Sequence, residues 1–166
     1  IRNLLEVGKA NFNGKTLEVS WPHQRVPIYV TAHGPKSIRR AARFADGVIM
    51  GMGISPEVIQ ECLHLLHQGA KEAGRSTTDI DVWWFCQWQV DYDSVVAKRD
   101  VTWLLASSAW HLVYPDIKNK IVPHQLHAPL QQMANAYDMM LHGVPNQQLQ
   151  ERYVKLATEL RVQEYL

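Results

Sequence analysis

The sequence predicts an α/β domain in which a small parallel sheet is covered by helices. Apolar runs rich in β-forming residues at 26–32, 47–51 and 80–90 alternate with stretches of helical periodicity. The first two runs are separated by one short helical stretch, and a unit that compact joins parallel strands through a right-handed crossover. Beyond Pro115 the pattern is helical throughout. Two architectures satisfy this pattern, a doubly wound open sheet or part of a (β/α)8 barrel. A closed barrel takes about 250 residues and eight strands. Only three strands are convincing in these 166 residues, so the residues taken alone favour the small open sheet.

In chain order, Ile1 to Lys9 reads as the tail of a helix with Leu4, Leu5 and Gly8 near its end. Asn11-Phe-Asn-Gly14 is a turn signal, and 15–21 forms a short strand or extended arm. Val26 to Ala32 lacks polar alternation, as expected of a strand buried on both faces, and Pro27 is tolerated at its start. His33-Gly34-Pro35-Lys36 breaks that strand, and Ser37 is placed to cap a helix over 37–45 with Ile38, Ala41, Ala42 and Ala45 on its apolar face. Asp46-Gly47 ends it, and 47–51 supplies the next buried strand. Ser55 caps the following helix with Pro56 at its first position, Ile59, Cys62, Leu63, Leu66, Ala70 and Ala73 along one stripe, and Gly74 at its end. Alternation over 80–90 puts Val82, Trp84, Cys86 and Trp88 on one face and Trp83, Phe85, Gln87 and Gln89 on the other. Asp91-Tyr-Asp-Ser94 then caps a helix from Val95 to Val113. Residues 129–142 and a final helix capped by Asn146 complete a mainly helical 91–166.

The net charge of +1 gives no strong electrostatic case for nucleic acid or an acidic membrane surface. No apolar run is long enough to span a bilayer. Two cysteines do not make a disulfide framework; both sit in contexts that read as buried, so a reducing cytoplasm is the simpler expectation. The chain opens without Met and both ends read as cuts through helices, so residues 1–166 are expected to be one incomplete domain.

The loop after the first parallel strand is the leading site candidate. It lies at a strand's carboxyl end and a helix N-terminus, where free amides and the helix dipole favour an anion, and Gly34 permits close backbone approach. The alternative is a plain strand-to-helix turn. Gly51-Met52-Gly53 ends the neighbouring strand on the same rim. Trp84 and Trp88 can line a flat substrate pocket or pack in the core. Lys36, Arg39, Arg40 and Arg43 fall opposite the apolar stripe, as a solvated face does. His64 and His67, like His124 and His127, are three apart, but the further ligands a zinc site needs are missing, so no metal is expected. Gly-x-Ser-x-Gly, GxGxxG and P-loop motifs are absent.

Val26-Pro-Ile-Tyr-Val-Thr-Ala-x-Gly-Pro-Lys36, Phe44-Ala-Asp-Gly-Val-Ile49 and Gly51-x-Gly-x-Ser-Pro-Glu-Val58, followed by Gly69-Ala-Lys-Glu-Ala-Gly-Arg75 and Asp79-Ile-Asp-Val-Trp-Trp84, resemble the C-terminal half of the bacterial-luciferase-like monooxygenase superfamily. Their order and spacing are most similar to the branch of methylenetetrahydromethanopterin reductase and other deazaflavin-dependent oxidoreductases. The resemblance covers roughly residues 1–90. It implies a partial (β/α)8 TIM barrel, of which this chain holds about three parallel strands plus C-terminal helices. It also implies an oxidoreductase that moves hydride between a reduced flavin or deazaflavin and a small organic substrate, with this chain as the half that holds the cofactor phosphate. The matching loops imply cofactor contacts at Thr31, Ala32, His33, Gly34, Pro35, Lys36, Gly51, Met52 and Gly53. The position of His33 is often a small residue in relatives. Coenzyme F420 (a deazaflavin) and FMN are both open, with a tilt to the deazaflavin. No catalytic residue is assigned, because proton-handling groups mostly come from N-terminal strands; this chain alone is expected to be inactive without the missing N-terminal half of the barrel. A homodimer is expected by analogy. The rival expectation is a non-catalytic cofactor-binding or structural domain of the same fold.

Overall fold

The structure, a computed structural model, describes residues 1–163 apart from Pro22, Met52, Gly143 and Pro145. Helix α1 (Arg2–Val7) ends on Gly8, whose left-handed φ of 78° suits a residue without Cβ. An antiparallel hairpin follows, β1 (Lys9–Phe12) and β2 (Lys15–Glu18), with Phe12 opposite Lys15. Its two loop residues, Asn13 and Gly14, both have positive φ (51° and 75°), the conformation a tight hairpin turn demands. The turn is therefore narrower than the four-residue signal in the sequence, and Lys9–Phe12 is strand rather than helix tail and turn.

Three parallel strands form the main sheet: β3 (Tyr29–Ala32), β4 (Gly47–Met50) and β5 (Asp81–Trp84), in the order β3-β4-β5. Tyr29, Gly47 and Asp81 share one row; Ala32, Met50 and Trp84 share another three residues on. One sheet face carries Val30, Ala32, Val48, Met50, Val82 and Trp84. It packs in one core with Ile38, Ala41 and Ala42 of α2 (Pro35–Ala42) and Val58, Cys62 and Leu66 of α3 (Pro56–Glu72). The opposite face holds Tyr29 and Trp83, which stand 43% and 58% exposed. The expectation that the first strand is buried on both faces is thus corrected, because helices of the described residues cover one side only.

The third strand is also shorter than its apolar run. The ladder stops at Trp84, opposite Met50 where β4 itself ends. Beyond it Cys86 is exposed, not buried, whereas Cys62 is buried and its thiol is pushed up to about 11 by that burial. Helix α2 starts at Pro35 with Gly34 as its cap, two residues before the sequence placed it; the Ser37 hydroxyl instead donates to the Gly34 carbonyl at 2.8 Å. Ser55 does cap α3, accepting from the Val58 amide.

The expected helix over 95–113 is two: α4 (Ser94–Thr102), capped by Asp93, and α5 (Leu105–Val113). Helix α6 (His127–Ala136) and α7 (Gln147–Glu159), the latter capped by Asn146, pack on α5 and extend the same core through Leu112, Leu130, Met133, Tyr153 and Ala157. Among the described residues no helix is long and apolar enough to cross a membrane.

At the amino ends of the strands Asp46 ties four segments together. Its carboxylate accepts from Arg2 of α1 (2.8 Å), Arg25 (2.7 Å) and the Ile28 amide (2.8 Å), while its carbonyl accepts from the Asp81 amide. The Arg2 bond, then the Ile28 amide, hold the Asp46 carboxyl below its ordinary range.

Candidate functional site

At the carboxyl ends of the strands the backbone changes direction at His33-Gly34 and again at Gly51. Gly34, next to Pro35 at the first helical position, has no side chain to accept from the amides of Lys36 and Ser37. Helix geometry gives those amides no intrahelical acceptor either, so α2 opens with donors that its own cap leaves free. Thr31 is the exposed residue before the buried Ala32, and Lys36 is exposed on the far side of the loop.

The His33 ring lies against Gly51. A Cβ built on Gly51 would stand 2.5 Å from its Cε1, so glycine is what lets the imidazole sit over the end of β4. The other flank of His33 faces His111 of α5, the rings stacked at a centroid distance of 6.1 Å and 27°. Its Nδ1 is sealed from solvent and has no hydrogen-bond partner among the described residues. Burial lowers its pKa below the ordinary histidine value, and the charges of Lys120 and His111 push the same way, against a raising effect of the Gly51 backbone.

His33, Gly51, Gly53, Phe85, Ser108 and His111 are among the walls of a cleft of about 60 Å³. That volume admits one small group rather than a ring system, for which pockets of about 300 Å³ or more are usual. No carboxylate lines it among the described residues. Gly53 follows with a φ of 99°, a conformation that favours glycine. A larger hollow, about 790 Å³, lies between α4 and α7, walled by Arg99, Asp100, Trp103 and Glu151. Apart from Gln89 its walls come from α4, α7 and the turn after α4, whereas the smaller cleft is lined by residues that follow β3, β4 and β5, where parallel α/β sheets place their ligands, so the smaller cleft is the better candidate.

The sequence-predicted residues divide by position. Thr31, Ala32, His33, Gly34, Pro35, Lys36, Gly51 and Gly53 gather on one rim of the sheet. Met52 lies outside the described residues. Trp84 packs against the core and Trp88 stands 76% exposed beyond the end of β5; neither lines the cleft. The described residues contain no cluster of three or more histidine, cysteine or acidic side chains able to hold a metal ion.

Sequence reading missed Ser108, His111 and Lys120. The first two come from α5, inside what reads as an ordinary helix. Lys120 follows the short 3-10 turn Ile117–Asn119, whose Asn119 carbonyl would lie 3.4 Å, and Lys120 Cδ 3.8 Å, from a Cβ built on Gly34. This segment packs over the β3–α2 loop. A half-buried lysine between Ile117 and Ile121 was the one local signal.

Comparison with known proteins gives the fold its place. A family profile of luciferase-like monooxygenases matches residues 1–161. The F420-dependent glucose-6-phosphate dehydrogenase of Microbacterium testaceum is 44% identical over 61 residues, 36% of this chain and 18% of that protein. The 5,10-methylenetetrahydromethanopterin reductase of Methanopyrus kandleri is 32% identical over 89 residues, 54% of this chain and 24% of that one. The solved coenzyme F420 dependent tetrahydromethanopterin reductase from Methanopyrus kandleri overlays 98% of this chain on 46% of its own, with a TM-score of 0.63 at 19% identity. That likeness is one of fold: the three parallel strands and their helices are part of a (β/α)8 barrel, and the chain spans less than half of the reductase it overlays. The chain belongs to the luciferase-like monooxygenase family.

Proposed function

We propose that this chain is the cofactor-anchoring part of a deazaflavin-dependent oxidoreductase acting on a small organic substrate, with coenzyme F420 preferred over FMN. The reading rests on one observation above others: a glycine-capped helix with free amides follows His33, which lines a small cleft with Gln87, Ser108 and His111 and with no carboxylate among the described residues. The residues present fit an anionic tail, since the cap of α2 leaves its first amides open and the buried Nδ1 of His33 has no hydrogen-bond partner among the described residues. Ala32, His33, Gly34, Pro35 and Lys36 would hold that tail from one side, and Gly51 and Gly53 would border it from the neighbouring strand. Bound deazaflavin supplies a ring carbon that carries hydride. The chain's part is to fix the tail, limiting the positions the ring can take relative to substrate.

Preference for F420 over FMN is supported by the names of the relatives, which include F420-dependent dehydrogenases and methylenetetrahydromethanopterin reductases. Fluorescence titration of the intact protein with oxidised F420 and with FMN tests the reading. Saturable F420 binding with weak or no FMN binding is the expected result; tight FMN binding without F420 binding would overturn the preference, and binding of neither would overturn the proposal.

A further inference from the structure

The groove of about 790 Å³ between α4 and α7 falls within the range of about 300–1,000 Å³ usual for small-molecule sites, and it shares no wall residue with the cleft at the end of β3. Its one aromatic wall is Trp103, at the carboxyl end of α4. The indole is half-buried, packs against the main core, and also walls a small inner hollow with Tyr137 and Tyr153, so it is held from behind where it borders the groove. Val154 of α7 extends the apolar wall, and three amide side chains surround it: Gln89 from the chain after β5, Gln147 and Gln150 from α7. Gln147 donates to Glu151 at 2.8 Å, but no side-chain hydrogen bond engages Gln89, Gln150 or the Trp103 indole among the described residues. The charges of the walls cancel, Arg99 and Lys155 against Asp100 and Glu151. Arg99 grips Asp100 through two nitrogens at 2.7 and 2.8 Å, and Lys155 pairs with Glu159 at 3.9 Å. Walls without net charge give an ion of either sign no advantage, whereas a free amide offers both donors and an acceptor to a neutral partner.

We propose that the α4–α7 groove binds a neutral sugar, with the apolar C–H face of its ring on the Trp103 indole and its hydroxyls on Gln89 and Gln150. A sugar hydroxyl is donor and acceptor at once, which is what an unengaged amide matches. Asp100 and Glu151 supply further acceptors, and Arg99 further donors. A nucleobase is flat and apolar on both faces and is held by stacking between two such surfaces. This groove has one aromatic wall, and the rest of its lining is mainly polar, which suits a ring with a single apolar face and a rim of hydroxyls. The site is separate from the cofactor reading, since it uses none of the residues assigned to the β3–α2 loop.

The test is heteronuclear NMR of the intact protein titrated with maltose, following the indole N–H signal of Trp103, assigned as the one that Trp103→Phe lacks. Saturable movement of that signal is the expected result, nearly unchanged by added salt because no net charge is engaged. Glucosamine and glucuronate, which put a charge of either sign on the glucose ring, are expected to bind no more tightly than glucose. Affinities of the variants are read from saturation transfer to the sugar's own signals. Gln150→Ala should weaken maltose about fivefold through the loss of one hydrogen bond. Trp103→Ala should weaken it about tenfold or more through the loss of the aromatic wall. Should Trp103→Ala not fold, Gln150→Ala and Gln89→Ala decide. A Trp103 signal that maltose leaves unmoved contradicts the proposal, and so does maltose binding that Gln89→Ala and Gln150→Ala both leave at wild-type strength. Adenosine that moves the Trp103 signal where maltose does not would also overturn it, in favour of a flat base. Titration with F420 bears on the cofactor reading alone, so either can fail while the other stands.

Discussion

Tyr29 and His33 stand four residues apart at the two ends of β3, and each lays its ring over a glycine of the neighbouring strand or its end. A Cβ on Gly47 would come within 2.2 Å of Tyr29 Cε1, and one on Gly51 within 2.5 Å of His33 Cε1. At the lower end this lets the Tyr29 hydroxyl reach across β4 to donate to Asp81 at 2.6 Å, where the Trp83 indole also donates at 2.7 Å. At the upper end it seats the imidazole in the cleft. The same substitution should therefore give opposite outcomes. Gly47→Ala displaces the Tyr29 ring and is expected to cost about 1–3 kcal/mol in chemical denaturation while leaving cofactor affinity intact. Gly51→Ala tilts His33 and is expected to weaken F420 binding several-fold with a smaller change in stability. The glycines were legible in the sequence as turn residues, but the rings they accommodate were not, because the contact depends on strand register.

Among the elements, local chemistry was read well except at Ser37, where Gly34 caps α2 instead, and partner-dependent chemistry was not. Ser55 and Asn146 cap the helices they were expected to cap, and Asp93 supplies the cap from within the expected run 91–94, since each acts within three residues of itself. Strand lengths were overestimated at 26–32 and 80–90, because a ladder ends where its neighbour ends, and β4 has four residues. The split between α4 and α5 carries no glycine or proline to announce it. Close packing of α2 on α3 hinges on Gly69, where a Cβ would fall 2.3 Å from the Arg39 carbonyl oxygen, a backbone atom that cannot swing aside. Gly69→Ala is expected to push the helices apart at about 1–3 kcal/mol, seen as a lower denaturation midpoint with an unchanged slope. Asp46 clamps α1 and the chain before β3 to the sheet. Its carboxyl is held below the ordinary range by Arg2 first and the Ile28 amide second. Its contribution is thus fully present above the unfolded value of about 3.9 and is lost as pH falls through the folded one. Denaturation of wild type against Asp46→Asn should show a gap that is constant from neutral pH down to about 4 and closes below it.

On the scale of the whole molecule, the parallel three-stranded sheet followed by helices was legible from alternation and crossover length alone. Its membership in a barrel was not, because closure is a property of strands beyond these three; the resemblance supplied it and the overlay on the reductase bears it out. The β3–α2 loop was visible as a local motif. Ser108, His111 and Lys120 reach it only through the packing of α5 and the segment beyond, at separations of some 75 residues or more from His33, where no sequence pattern links them. The central claim, that an anionic tail is anchored at this loop, is tested most directly by the backbone amide signals of Lys36 and Ser37. These would be followed by heteronuclear NMR while the intact protein is titrated with F420 and with the same deazaflavin lacking its phosphate tail. The account predicts large shifts of both amides with F420 and much weaker binding, without those shifts, for the tail-less analogue; equal affinity for the two compounds with both amides unmoved would contradict it.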